Sequence, residues 1–94
     1  MIVGKEEYLA YIIGQGVGKK DIVASSPASY ISYLNSVSRL LGEDISPSLV
    51  NSETAIASII KRLEGQRAAK TLSNYRSALR QYFHFYMTRE NKFN

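Results

Sequence analysis

The stretch from Ser26 to Gly42 constrains the fold most, because the start, the buried face and the end of one helix can all be identified in it. Ser26 can accept hydrogen bonds from free amides at a helix N-terminus, and Pro27 has the fixed φ that suits the first helical position. Apolar side chains then recur at helical spacing up to Gly42, at Tyr30, Tyr33, Leu34, Val37, Leu40 and Leu41. The pattern predicts a helix over residues 27–41.

Three further segments show the same period. Residues 5–13 end at Gly14, residues 53–64 lie between a capping Ser52 and Gly65, and residues 71–88 form the longest apolar stripe. No segment alternates polar and apolar residues for long enough to predict a strand. The sequence therefore predicts an all-α fold, a compact four- to five-helix bundle formed by a single domain.

Composition excludes several kinds of site and location. The 94 residues include no cysteine and one histidine, so we expect no disulfide, no metal site and no cofactor. The longest apolar run is far shorter than the roughly 20 residues of a membrane-spanning helix. Glu6 and Glu7 interrupt any signal-peptide pattern at the N-terminus. We therefore expect a cytoplasmic protein with no membrane partner.

Positive charge is concentrated in the last third of the chain. Residues 1–60 carry four basic and six acidic residues, whereas residues 61–94 carry eight basic and two acidic ones. Such a concentration is typical of a surface that binds a polyanion. A solvated helix face gives the same pattern, so charge alone leaves both interpretations open.

The glycine-rich stretch GQGVGKK, residues 14–20, resembles a phosphate-binding loop at first sight. A nucleotide-binding P-loop needs a glycine five positions before its Gly-Lys pair and a hydroxyl residue after it, but Ile13 and Lys20 occupy those positions. The stretch also follows a predicted helix and not a strand. We interpret it as a helix-ending turn whose Lys19 and Lys20 are peripheral contacts for the phosphates of a larger polyanion.

Catalytic residues are not predicted in this chain. His84 lies between two phenylalanines, and no nucleophile, base and orienting group can be assembled from one histidine and scattered serines. We interpret His84 as an ordinary surface or boundary histidine.

The last predicted helix carries the strongest candidate for a binding site. Arg76 and Arg80 are one turn apart with hydroxyl residues around them, and further basic residues stand where the helix starts, a position that favours anions. Arginines with short hydroxyl donors are the residue types that contact a DNA backbone. The candidate DNA-binding residues are Lys70, Thr71, Ser73, Asn74, Arg76, Ser77 and Arg80, with Arg67, Lys19 and Lys20 as peripheral contacts.

A helical protein-protein interaction or oligomerisation module is the alternative. The second predicted helix has a nearly uncharged face of small polar residues that a neighbour could approach closely, Ser29, Ser32, Asn35, Ser36, Ser38 and Arg39. Phe85 and Met87 fall off the apolar stripe of the last helix, and we expect them to be exposed for a partner.

Three segments together resemble the SAM-like core-binding domain of tyrosine recombinases, the N-terminal module of phage integrases. They are SPASYISYLNSVSRLLG, residues 45–63 and AAKTLSNYRSALRQYFHFY. The family pattern has a small residue and Thr at a helix start, then an aromatic, Arg-Ser-Ala-Leu-Arg and an aromatic pair, and residues 70–83 reproduce it closely.

The resemblance implies a four-helix, non-catalytic DNA-binding module that forms one jaw of a clamp around double-stranded DNA, mainly through backbone contacts. In that family the nucleophilic tyrosine and its partners belong to a separate catalytic domain, so no tyrosine of this chain is expected to be a nucleophile. The chain is accordingly expected to be a module of a larger DNA-processing protein. Its attached catalytic domain is expected to be either a recombinase, for DNA recombination and integration, or a nuclease.

Overall fold

The computed structural model describes residues 1–15 and 26–91, the last three of these by their backbone alone. The described residues form four helices, α1 (Lys5–Gly14), α2 (Pro27–Leu41), α3 (Glu53–Leu63) and α4 (Ala69–Asn91). Within these ranges the backbone forms no β-strand and only two isolated bridges, Ile2 with Ile45 and Glu64 with Arg67. The predicted all-α fold is confirmed.

The predicted signals at Ser26, Gly42 and Ser52 mark helix ends in the structure, whereas α1 includes Gly14, the residue predicted to end it, because the Gln15 amide still bonds the Tyr11 carbonyl at 3.0 Å. The Ser26 side chain accepts a hydrogen bond from the Ser29 amide at 3.1 Å, and Ser52 accepts one from the Ala55 amide at 3.0 Å. Gly42 ends α2 in the left-handed region at φ 70°, where a residue without a Cβ is favoured. These contacts satisfy amides and carbonyls that a helix leaves free at its ends.

The core lies between α4 and the other three helices, all of which α4 contacts. It is formed by the apolar stripes of the helices and by three residues outside them, one before α1 and two between α2 and α3. Its buried members are Ile2, Tyr8, Ile12, Tyr30, Leu34, Val37, Ile45, Val50, Ile56, Ile59, Ile60, Leu63, Leu72, Tyr75, Ala78, Leu79, Tyr82 and Phe85. Fully burying one large apolar side chain contributes roughly 1.5–3 kcal/mol, so this cluster is the main source of stability.

The N-terminal segment is joined to the connector between α2 and α3. The Val3 amide donates to the Ile45 carbonyl, and the Ile45 amide donates to the Met1 carbonyl, each at 2.8 Å. The Tyr82 hydroxyl of α4 donates to the Val3 carbonyl at 2.8 Å and thereby ties this pair of segments to the longest helix. Gly4 follows at φ 70°, where a Cβ would lie 2.5 Å from the Tyr86 hydroxyl oxygen, so this turn requires glycine.

Two expectations about exposed residues were wrong. Phe85 is buried, because it lies on the side of α4 that faces α1 and packs edge-on against Tyr8, with ring centroids 6.1 Å apart. Ser38 is buried as well, since its hydroxyl accepts from the Met1 amino group at 3.1 Å and donates to the Glu43 carbonyl at 2.6 Å. Met87 is exposed as predicted, at 46 % of its surface.

Candidate nucleic-acid interface

The exposed side of α4 brings four of the candidate residues together. At 100° per residue, Ser73, Arg76, Ser77 and Arg80 fall within about a third of the helix circumference, and all four are exposed. The opposite side of the same helix carries the core residues, including Leu79 and Tyr82. We name these four exposed residues the outer flank of α4.

The remaining candidates at the start of α4 are more dispersed. The helix begins at Ala69, earlier than predicted, so Lys70 and Thr71 lie in its first turn and not before it. Lys70 is exposed at the edge of the outer flank, whereas Thr71 and Asn74 are half-buried and turned away from the two arginines. The fold therefore brings Lys70 near the outer flank but not Thr71 or Asn74.

Arg67 lies in the loop that precedes α4. Its side chain is exposed and donates from Nη1 to the Gln66 carbonyl at 2.7 Å. Lys19 and Lys20, the two other peripheral candidates, lie outside the described residues.

A groove runs between α3 and α4 beside the outer flank. Its first hollow, of about 230 Å³, is lined by Ile60, Glu64, Ala69, Leu72, Ser73 and Arg76. The second hollow, of about 380 Å³, is lined by Glu53, Ile56, Ala57, Arg76 and Arg80. Arg76 lines both hollows, and we name the two hollows together the α3–α4 groove.

The two arginines of the outer flank differ in their electrostatic surroundings. Arg80 forms an ion pair with Glu53, its Nε lying 3.4 Å from the carboxylate oxygen, and about half of each side chain is exposed. No carboxylate among the described residues lies within ion-pair distance of Arg76. Within the part of the chain that the structure describes, Arg76 is therefore the outer-flank cation whose charge no carboxylate neutralises.

The hydroxyl groups of the outer flank also differ. Ser77 donates its hydroxyl proton to the Ser73 carbonyl at 3.2 Å, a bond within the helix that leaves its oxygen free to accept. A phosphate oxygen needs a donor, so Ser77 would first have to break this bond. The Ser73 hydroxyl donates to no other group among the described residues, so it can donate directly to an anion in the first hollow.

Sequence reasoning left out one basic residue next to the groove. Lys61 is exposed on α3, one turn after Ala57, which lines the second hollow. The four-residue spacing between Ala57 and Lys61 is the signal that could have identified Lys61, but using it requires knowing which face of α3 is turned toward α4. The neighbouring Arg62 forms an ion pair with Glu43, in which the Arg62 Nη1 lies 3.6 Å from the Glu43 Oε2.

The buried tyrosines have structural contacts. The Tyr8 hydroxyl donates to the Ala78 carbonyl at 3.2 Å, and that of Tyr82 donates to Val3. Burial is the main factor that raises the pKa of both phenols well above the ordinary value. Both hydroxyls therefore stay protonated at neutral pH and are poorly suited to act as nucleophiles.

Residues 1–15 and 26–91 contain no cluster of three or more His, Cys, Asp or Glu side chains that could hold a metal ion. None of the helices in those ranges combines the length and the apolar character needed to cross a bilayer.

The family comparison gives one match that covers almost the whole chain. The model of the phage integrase N-terminal SAM-like domain matches residues 6–90, a range that includes all of the outer flank and nearly all of the four helices. It describes the N-terminal part of an integrase and not its catalytic domain. No curated protein and no solved structure matches the chain. The chain belongs to the family of phage integrase N-terminal SAM-like domains.

Proposed function

We propose that this domain binds double-stranded DNA through the outer flank of α4, and that it does so as the non-catalytic module of a larger DNA-processing protein. The observation that carries the proposal is the exposed Arg76, which pairs with no carboxylate among the described residues and lies one turn from Arg80, beside an open groove. The family supports it, since an integrase domain suggests a DNA-associated role in recombination.

The chemistry of the outer flank suits phosphate better than a base edge. A guanidinium group presents several donors in a planar fork that matches a phosphate, and Ser73 adds a short hydroxyl donor. Half to two-thirds of protein–DNA hydrogen bonds go to phosphate and sugar, and such contacts are independent of sequence. The proposed contact is therefore to the DNA backbone.

The distribution of charge favours the same surface. Eight of the twelve basic residues lie in residues 61–94, and seven of these eight belong to α4, the loop before it or the end of α3. A polyanion that approaches the domain is attracted to this part of the surface before any specific contact forms. Lys70 is exposed at the edge of the outer flank and extends its positive field, and Lys61 adds a further exposed cation on α3.

A fluorescence-anisotropy titration with a labelled random duplex of about 25 base pairs tests the proposal. If four to six phosphates are neutralised, log K falls with log salt at a slope of about −4 to −5. The Arg76→Ala, Arg80→Ala double variant should bind more weakly and with a flatter slope. Absence of binding by the unaltered domain at low salt would refute the proposal.

A charge-matched control separates a local site from net charge. The Lys5→Ala, Arg39→Ala variant also loses two positive charges, from α1 and α2, and both of these residues are exposed. We expect it to retain most of the affinity and the slope. Equal losses in the two double variants would mean that net charge, and not the outer flank, drives binding.

A protein-protein interaction module is a second candidate, supported by one observation. Met87 is exposed and lines a small hollow of about 90 Å³ with Pro47, Val50, Asn51, Phe83 and Tyr86. Size-exclusion chromatography over a range of concentrations tests it. A concentration-dependent dimer with no affinity for DNA would favour this candidate over the first.

A further inference from the structure

Glu53 occupies a position in the α3–α4 groove where it can compete with a phosphate. It lines the same hollow as Arg76 and Arg80, and its carboxylate lies 3.4 Å from the Arg80 guanidinium. The carboxylate therefore pairs with the Arg80 guanidinium, which would otherwise be free to bind an anion.

The start of α3 attracts this carboxylate independently of Arg80. Glu53 is the first residue of the helix and follows the capping Ser52, whose side chain is bonded to the Ala55 amide. The N-terminal end of a helix favours negative charge, so the Glu53 carboxylate is attracted to this position whether or not Arg80 contacts it.

The ion pair is weak enough to exchange. The Arg80 and Glu53 side chains are 52 % and 55 % exposed, and ion pairs exposed to this degree contribute little to stability because water and salt screen them. A phosphate is a comparable partner for a guanidinium and can replace the carboxylate.

We infer that Glu53 restrains Arg80 and thereby lowers the affinity of the outer flank for DNA, so that Arg76 makes the main phosphate contact and Arg80 contacts phosphate only when it leaves Glu53. The inference rests on the proposed DNA binding. It assigns to an acidic residue outside α4 the role of setting the strength and the salt dependence of that binding.

A double-mutant cycle on DNA affinity tests the coupling between these two residues. Glu53→Gln should tighten binding about fivefold, the size expected when one exposed ion-pair competitor is removed. The salt slope should steepen by about 1, because one more phosphate is neutralised. In the Arg80→Gln background, Glu53→Gln should change affinity less than twofold, the ratio expected when no coupling remains.

Glu64→Gln provides the matched control. Glu64 is exposed and lines the same groove, but no basic side chain among the described residues pairs with it. Its neutralisation removes one negative charge without freeing an arginine, so we expect less than a twofold gain on the same reasoning. Thermal unfolding of each variant by circular dichroism verifies that the bundle remains folded.

The outcomes distinguish the two proposals. If the unaltered domain does not bind the duplex at low salt, DNA binding itself is refuted and the restraint with it. If the domain binds but Glu53→Gln and Glu64→Gln have equal effects, only the restraint is refuted. The restraint is also refuted if Glu53→Gln tightens DNA binding by the same factor in the Arg80→Gln background. The gain would then come from reduced charge repulsion between the domain and DNA.

Discussion

The two sides of α4 differ in almost every physical property although they belong to one helix. On the inner side Ala78, Leu79 and Tyr82 have no exposed surface, and the Tyr82 hydroxyl is bonded to backbone carbonyls. On the outer flank Arg76 and Arg80 are exposed, and the side chains of the Arg80–Glu53 ion pair are each about half exposed to solvent. The contrast teaches that stability comes from the inner side, whereas the proposed binding would come from the outer flank, so mutations should separate the two.

The largest expected effect is on the inner side. Leu79→Ala removes a fully buried side chain from the centre of the core and should lower the free energy of unfolding by about 3 kcal/mol, through lost burial and the cavity left behind. Urea unfolding followed by circular dichroism measures it.

Ser77→Ala is the matched change on the outer flank of the same helix. It removes one exposed hydroxyl and should change the free energy of unfolding by less than about 0.5 kcal/mol. Similar losses in Leu79→Ala and Ser77→Ala would contradict the division between the two sides.

An intermediate effect is expected from alkaline pH, again through the inner side. Burial raises the pKa of Tyr8 and of Tyr82 above 10.0, and the neighbouring Tyr86 adds to the effect at Tyr82. Because the unfolded chain ionises these phenols near pH 10, their contribution is fully present below that pH and is lost as the pH rises further. Each tyrosine should cost roughly 1 kcal/mol of stability at about pH 10.5.

Urea unfolding at a series of pH values from about 8 upward measures this loss. The Tyr8→Phe, Tyr82→Phe double variant is the control, because it keeps both rings but has no phenol to ionise. The difference in stability between low and high pH should shrink in this variant by about 2 kcal/mol. An undiminished difference would show that other groups cause the alkaline loss.

The smallest expected effect on stability comes from Arg76. Arg76→Gln removes an exposed cation that has no carboxylate partner among the described residues, so the free energy of unfolding should change by less than about 0.5 kcal/mol. The same variant should weaken DNA binding and flatten its salt dependence, as read in the anisotropy titration. A marked loss of stability would mean that the outer flank also supports the fold.

Much of the fold could be predicted from the sequence because its signals are local. The cap at Ser26, the glycine at position 42 and the apolar spacing between them specify α2 within a few neighbouring residues, and the structure places that helix over residues 27–41 as predicted. The start of α4 was misplaced by two residues, since Ala68 and Ala69 offer no capping side chain to mark it.

The candidate site could be predicted only in part. Helical spacing alone places Ser73, Arg76, Ser77 and Arg80 on one side of a helix, and the structure exposes that side. The same spacing could not show that Thr71 and Asn74 are half-buried, because their exposure depends on how α4 is rotated against its neighbours.

By itself the sequence determined the all-α class, the helix ends with a capping residue and the cluster of basic residues in the last third, because these depend on residues near one another along the chain. Only the tertiary structure decided that Phe85 is buried against α1, that Ser38 bonds the N-terminus, and that Glu53 pairs with Arg80. Each of these contacts joins residues at least 27 positions apart, so it depends on how the helices pack together. Spacing within one helix carries no information about that packing.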